Sequence, residues 1–275
     1  MKTFTTPTAL GYALALLLST ALPAASAEMK PDQRPRRTLN NLDVRSHRHR
    51  DASGRKLPYR LLIPPGYDGS TQQHPMLVFL HGAGERGGNN RAQLTHGKRF
   101  FCAAAVDYGC FVLAPQCPCG GWWAGRHWAD PQRSLSPEPS ETMQLVFDLI
   151  ARLRVDYRID AQRVYLMGLS MGGFGVWDAV QRQPDMFAAA VPICGGGDPS
   201  QVAHIAQLPV WVFHGQQDPV VSVELSRNMV GALQAAGGEP RYTEYAGVGH
   251  NSWDGAFNEP ELLSWLTAQR RSSAE

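Results

Sequence analysis

The sequence predicts one α/β domain, in which a mostly parallel sheet is covered by helices on both faces. From residue 76 onward, short apolar segments alternate with longer amphipathic ones, the order that joins parallel strands through helical crossovers. The apolar segments are nearly continuous, which is typical of strands buried on both faces. The chain has 275 residues, of which 43% are apolar and 18% charged, so its composition is that of an ordinary globular domain.

The individual elements follow from this alternation. Two extended stretches, Leu42–His49 and Leu57–Pro64, come before a cluster of proline, glycine and aspartate and are expected to form an antiparallel pair. The later strands are predicted at Met76–Leu80, Phe111–Ala114, Arg163–Met167, Ala188–Ile193, Val210–Phe213 and Arg241–Tyr245. The helices are predicted at Arg91–Val106, Glu141–Val155, Gly172–Gln181, Val223–Ala236 and Pro260–Arg270.

The N-terminal residues 1–27 have the composition of a secretory signal peptide. Lys2 is their only charged residue, an apolar run covers Ala9–Leu18, and Ala25-Ser26-Ala27 has the small-x-small pattern that signal peptidase cleaves. The apolar run is too short to span a bilayer. We expect cleavage before Glu28, an exposed leader over residues 28–41 and the folded domain over residues 42–275. The mature protein is then expected in the periplasm or outside the cell, without a membrane anchor.

The charge balance argues against nucleic acid as a partner. Lys and Arg number 26 against 24 Asp and Glu, a formal charge of +2, which provides no basic surface for a phosphate backbone.

The cysteines leave their pairing open. An oxidising compartment would allow the five, Cys102, Cys110, Cys117, Cys119 and Cys194, to pair, and Cys102 with Cys110 is the candidate for a local bridge. Cys117 and Cys119 have no second ligand pair of zinc-site spacing. No metal and no other cofactor is therefore expected.

A candidate nucleophile lies in the string Gly168-Leu169-Ser170-Met171-Gly172. This G-x-S-x-G pattern follows a predicted strand and begins a predicted helix, which is the setting of a nucleophile elbow. A sharp turn at Ser170 leaves no room for Cβ atoms two residues away on either side. The string therefore predicts that Ser170 Oγ stands above the edge of the sheet as a nucleophile.

A serine nucleophile needs a base and an acid that orients the base. His250 lies on a glycine-flanked loop after the last predicted strand, and Asp218 follows the strand that ends at residue 213. Both positions are at the carboxyl ends of strands, where α/β sheets place functional loops. Asp198 and Asp254 compete for the acid role, but Asp198 is expected to cap a helix and Asp254 is close to His250 in sequence.

An oxyanion hole requires two backbone amides that point at the developing charge. One is expected from Met171, the residue after the nucleophile, and the other from the loop His81–Gly88. Small residues in this loop allow close approach of the main chain, and Ala83 is the expected donor. The adjacent charges of Glu85 and Arg86 are interpreted as a structural pair that shapes the loop.

With these motifs in register, the chain resembles the α/β-hydrolase fold over residues 55–270. More narrowly, it resembles secreted esterases of the "predicted peptidase" type, related to feruloyl and acetyl-xylan esterases and to polyhydroxyalkanoate depolymerases. The strings that carry the resemblance are Leu80–Gly87, Ala114–Pro118, Gly168–Gly173 and His250–Asp254. It implies a secreted serine esterase that hydrolyses carboxylic esters through an acyl-enzyme. A non-catalytic exported binding domain, a peptidase and a polyester depolymerase are the alternatives.

The length of the loops predicts an open substrate site without a cap domain. Only sixteen residues separate the strands that end at residue 193 and begin at residue 210, which is too short for a lid domain. The long insert is Gln116–Pro139, which holds Trp122, Trp123 and Trp128. These indoles are expected to form a substrate-binding wall for a small-molecule or polymer-linked ester, with at least one of them facing the substrate. The alternative is that one or two of them fold inward and anchor the loop itself.

Overall fold

The computed structural model describes residue 39 and residues 42–125 and 134–271. Its strands form one sheet in the order β1-β2-β4-β3-β5-β6-β7-β8. The strands are β1 (Asp43–Arg50), β2 (Lys56–Ile63), β3 (His74–Leu80), β4 (Phe111–Pro115), β5 (Ile159–Leu169), β6 (Ala189–Ile193), β7 (Trp211–Gly215) and β8 (Arg241–Tyr245). The pairs β1–β2 and β2–β4 are antiparallel and the later pairs are parallel. The predicted mostly parallel sheet of an α/β-hydrolase fold is confirmed.

Six α-helices accompany the sheet in the described residues. They are α1 (Lys98–Asp107), α2 (Glu141–Asp156), α3 (Met171–Arg182), α4 (Glu224–Ala235), α5 (Trp253–Phe257) and α6 (Leu262–Ala268). The first helix begins seven residues later than the sequence predicts. Gly97 has φ +74°, which a right-handed helix does not allow, so α1 starts only after it. A side chain is excluded at this position, because a Cβ there would meet the rings of Phe101 and Phe257. Helix α5 is too short to be recognised from its hydrophobic period.

The alternating side chains of β3 show how the sheet is buried on both faces. Met76, Val78 and Leu80 belong to the apolar layer that also contains side chains of α2, α3 and α4. Leu77 and Phe79 belong to the opposite layer, with side chains of α1, α5 and α6. This explains why the strand is a continuous apolar run in the sequence.

The connection between β6 and β7 contains two short 3-10 helices, Pro199–Gln201 and Ala203–Ile205. No cap domain lies there, so the carboxyl edge of the sheet is not covered by an insertion at this point. Among the described residues, no helix combines the length and the apolar character that crossing a membrane requires.

The candidate bridge between Cys102 and Cys110 is not formed. Cys110 is a buried thiol whose Sγ lies 3.8 Å from the carbonyl oxygen of Tyr108. Burial raises the pKa of Cys110 to about 12, so it behaves as a small apolar side chain of the core rather than as a reactive thiol.

Candidate active site

Ser170 lies in a strained turn between β5 and α3. Its backbone has φ 52° and ψ −118°, a region that residues with a side chain rarely adopt. A Cβ at Gly168 would overlap the carbonyl group of Gly172, and one at Gly172 would overlap the carbonyl oxygen of Leu80. The two glycines therefore allow the turn to press against the end of β3, which leaves Ser170 at the edge of the sheet.

His250 connects Ser170 to Asp218. Its Nε2 lies 3.0 Å from Ser170 Oγ, and its Nδ1 lies 2.7 Å from Asp218 Oδ2. The imidazole is 21% exposed, whereas the Asp218 side chain is fully buried. Both distances are within hydrogen-bond reach, so the base faces the nucleophile on one side and a buried acid on the other. The structure thus brings together the three residues that the sequence singles out.

The Asp218 carboxylate is held by backbone groups of its own loop. Oδ1 accepts hydrogen bonds from the amides of Val220 and Val221, at 2.8 and 2.9 Å. The two competing acids lie in other surroundings. Asp198 caps the 3-10 helix that follows it and accepts from the Ser200 amide, while Asp254 is exposed and accepts from the Asn251 side chain.

A second histidine, His214, approaches the same carboxylate. Its Nε2 lies 3.0 Å from the carbonyl oxygen of Val221 and 3.3 Å from Asp218 Oδ2. Since the carbonyl can only accept, Nε2 carries the proton. Ser226 Oγ lies 2.7 Å from Nδ1 and donates to it in the neutral ring, and burial lowers the pKa of His214. Sequence reasoning passed over His214, although it lies at the end of a strand four residues before the acid.

The two amides expected to form the oxyanion hole occupy equivalent local positions. Met171 is the first residue of α3, and Ala83 is the first residue of the 3-10 helix Ala83–Glu85. The first amides of a helix have no acceptor within that helix. Both residues line the same cavity as Ser170, so their N–H groups are suited to bind a negatively charged oxygen there.

The loop that contains Ala83 is fixed by His81. The buried imidazole donates from Nδ1 to the Gly82 carbonyl at 2.6 Å and accepts at Nε2 from the Cys117 amide at 3.0 Å. Burial lowers the pKa of His81 to about 4, so the ring is neutral near pH 7. The carbonyl of His81 in turn accepts from Trp123 Nε1 at 2.9 Å. The start of the loop is thereby locked into the core.

This contact shows that the expected substrate-binding role of Trp123 is wrong. Its side chain is 0% exposed, and a Cβ at Gly175 would collide with it, so the indole occupies the space that this glycine leaves on α3. Trp122 is partly buried beneath the Arg86 guanidinium, 4.7 Å from the ring centre, and does not line the cavity. Trp128 lies outside the described residues.

Glu85 and Arg86 point in different directions. Arg86 donates from Nε to the Ala83 carbonyl at 2.9 Å, which supports its expected role in shaping the loop. Glu85 Oε1 instead lies 3.5 Å from His96 Nε2. The interpretation of the two as a pair with each other is therefore wrong, because each side chain has found a partner elsewhere in the fold.

A cavity of about 290 Å³ opens above Ser170. Its lining residues are Gly82, Ala83, Gly84, Glu85, His96, Leu169, Ser170, Met171, Val220, Val221, His250 and Trp253. His96, Trp253 and the two valines were missed as site residues by sequence reasoning. For Trp253 a signal was available, because it stands three residues after His250 in one of the recognised strings.

Cys194 is a buried cysteine close to two of the catalytic candidates. Within the described part of the chain, Cys194, Asp218 and His250 offer metal-ligating atoms within 4.8 Å of one another. Asp218 and His250 are already hydrogen-bonded to each other, and burial raises the pKa of Cys194 to about 12. His250 faces Ser170 Oγ through its other ring nitrogen, so the arrangement of this set fits a serine site.

Comparison with known proteins places these residues in a family. The model of the phospholipase/carboxylesterase family matches residues 67–259. NocK of Nocardia uniformis subsp. tsuyamanensis, which carries the name of an esterase, is 26% identical over 76% of this chain and 64% of its own length. The bifunctional acetylxylan esterase/xylanase XynS20E of Neocallimastix patriciarum is 36% identical over 54% of this chain and 20% of its own.

Among solved structures, that of a thermostable esterase has a TM-score of 0.77 and 40% identity over 83% of this chain. The chain covers 64% of that protein. It thus spans less than two thirds of the length of these three relatives.

Proposed function

Because this chain belongs to the phospholipase/carboxylesterase family of α/β-hydrolases, we propose that it hydrolyses carboxylic esters through an acyl-enzyme on Ser170. One observation carries the proposal. Ser170, His250 and Asp218 form a continuous hydrogen-bonded line of 3.0 and 2.7 Å at the wall of a cavity. The same arrangement on unrelated folds performs acyl transfer. The esterase names of its relatives support the same class of reaction.

In this mechanism, His250 Nε2 removes the proton of Ser170 as Oγ attacks the ester carbonyl. The amides of Met171 and Ala83 bind the oxyanion, and Asp218 holds Nδ1–H and stabilises the imidazolium. His250 then gives its proton to the leaving alcohol, and an ester bond between the acyl group and Oγ remains. Water, with His250 again as base, attacks this ester and releases the acid.

The test is turnover of p-nitrophenyl acetate. Ser170→Ala should lower kcat by roughly 10⁴-fold or more and should abolish covalent labelling by a fluorophosphonate probe. Ser222→Ala, a matched change at an exposed serine, should leave both readouts unchanged. Undiminished turnover in folded Ser170→Ala would refute the assignment. An inactive, unlabelled wild type would favour a non-catalytic binding domain instead.

The proposal needs no metal, since protein groups fill each chemical role. Incubation with EDTA should therefore leave the turnover of p-nitrophenyl acetate unchanged. Loss of activity in EDTA that returns on addition of zinc would contradict this part of the proposal.

We also propose that the protein is exported and acts in the periplasm or outside the cell. The support is the pattern of residues 1–27, which lie outside the described residues. Mass spectrometry of the mature protein should find Glu28 as its first residue. Ala27→Arg places a large charged residue at the cleavage position and should leave the precursor uncleaved. A wild-type protein that retains residues 1–27 in the cytoplasm would refute export.

A further inference from the structure

The cavity holds a carboxylate for which the proposed mechanism has no use. Glu85 lies two residues after Ala83, and its side chain is only 14% exposed. Glu85 Oε2 and Ser170 Cβ both lie within 4 Å of the point where a Cβ on Gly82 would stand. A negatively charged group is therefore held close to the nucleophile and to the oxyanion donors.

Such a charge opposes the chemistry on a simple ester. Negative charge develops on the carbonyl oxygen in the transition state, and a nearby carboxylate destabilises it. The ion partner that the structure gives Glu85 is His96, whose side chain is 33% exposed. The distance from His96 Nε2 to Glu85 Oε1 is 3.5 Å, which is longer than a good hydrogen bond. The carboxylate oxygens of Glu85 can therefore still accept hydrogen bonds inside the cavity. Hydroxyl groups of a bound molecule are suitable donors for them.

The position of Trp253 indicates which part of the ester meets this carboxylate. The indole contacts His250 edge to face, with ring centres 5.3 Å apart, and its ring centre is 5.4 Å from that of His96. Glu85, His96, Trp253 and His250 are therefore neighbours in a continuous wall. Because His250 must face the leaving oxygen to protonate it, the wall beside His250 faces the alcohol part of the ester.

Resting on the proposed function, we infer that Glu85, His96 and Trp253 form a subsite for a leaving alcohol that carries free hydroxyl groups. The carboxylate accepts from a hydroxyl group, and the indole packs against the apolar face of a ring. A cavity of about 290 Å³ is at the lower end of ligand sites. It fits a short acyl group on a single polyol or sugar unit. The preferred substrate class is therefore a short-chain ester of a polyhydroxylated alcohol.

The test compares two acetates with rings of similar size: cyclohexyl acetate and a methyl xylopyranoside that carries one acetyl group. Release of acetate gives kcat/KM for each ester. Wild type should favour the xylopyranoside ester, and Glu85→Gln should lower the ratio of the two kcat/KM values about 5- to 10-fold, because the Gln amide oxygen can accept the same hydrogen bond but without the negative charge that strengthens it. The loss should appear mainly in KM for the hydroxylated ester. Glu239→Gln, at an exposed position in the segment before β8, is the matched control and should leave the ratio unchanged.

The outcomes separate the two proposals. If wild type hydrolyses neither these esters nor p-nitrophenyl acetate, the proposed function fails. If wild type is active but its ratio does not depend on Glu85, only the subsite is refuted. Should Glu85→Gln fail to fold, His96→Phe removes the polar neighbour and must also lower the ratio. An unchanged ratio in folded His96→Phe would then overturn the subsite.

Discussion

Replacing Trp123 by Ala tests whether this indole anchors the oxyanion loop or contacts substrate. Trp123 is fully buried between α3 and His81, and its Nε1–H satisfies the His81 carbonyl. Truncation would empty a site in the core and leave a buried carbonyl oxygen without its donor. We therefore expect a loss of stability and a general loss of activity rather than a change of specificity.

The magnitude follows from these two losses. Truncation of a buried aromatic side chain to Ala costs about 3–5 kcal/mol, and a buried unsatisfied carbonyl adds about 1–3 kcal/mol. The total is comparable with the lower end of the stability of a whole domain, about 5–15 kcal/mol. Trp123→Phe keeps most of the volume and should cost about 1–3 kcal/mol through the lost hydrogen bond. Trp122→Ala, the neighbouring control, loses a partly buried cation–π contact worth about 1 kcal/mol.

Urea unfolding and a panel of esters measure the two consequences. The unfolding midpoints should fall in the order wild type, Trp122→Ala, Trp123→Phe, Trp123→Ala. Folded Trp123 variants should lose the same factor in kcat on p-nitrophenyl esters from acetate to octanoate and on methyl ferulate. An unchanged midpoint for Trp123→Ala, together with a rise in KM confined to aromatic esters, would refute the reasoning and restore the substrate-binding role.

Three further predictions concern the elbow, pH and the acid. Gly172→Ala places a methyl group on the Leu80 carbonyl, so we expect little folded protein. The control Gly231→Ala, in helix α4 where a Cβ meets open space, should fold normally. Equal yields of soluble protein from the two variants would contradict this prediction. Burial lowers the pKa of His81 to about 4. As the pH falls, His81 in the unfolded chain therefore binds a proton near pH 6.5, whereas in the folded protein it binds one only near pH 4. The contribution of His81 to stability is therefore complete above about pH 6.5 and is lost as the pH falls toward 4, with a slope of up to about 1.4 kcal/mol per pH unit. Urea midpoints of His81→Gln should accordingly fall less steeply over this range, and parallel curves would count against the buried neutral ring. His214→Leu removes the imidazole N–H that approaches Asp218 Oδ2 and should lower kcat about tenfold with little change in KM. His214→Gln keeps a donor and should recover part of the loss. Equal kcat values in the two variants would show that His214 does not position the acid.

The sequence by itself determined the parts of this protein whose geometry depends on residues that are close together in the chain. The glycines at 168 and 172 permit the positive φ of Ser170, and this local requirement can be read directly from the string. The order of strands and helices placed Asp218 and His250 at the ends of strands. Because parallel strands end at one edge of a sheet, these residues had to approach Ser170.

Only the tertiary structure decided which way the side chains of the long loops face. Trp122 and Trp123 are adjacent and equally apolar, yet Trp123 is buried because the loop folds back onto the space at Gly175, more than fifty residues away. Glu85 and Arg86 separate for the same kind of reason, since His96 and Trp122 offer them partners from other segments. Contacts between segments that are distant in sequence have no local signature, so neither the core position of Trp123 nor the carboxylate in the cavity could be predicted from the chain alone.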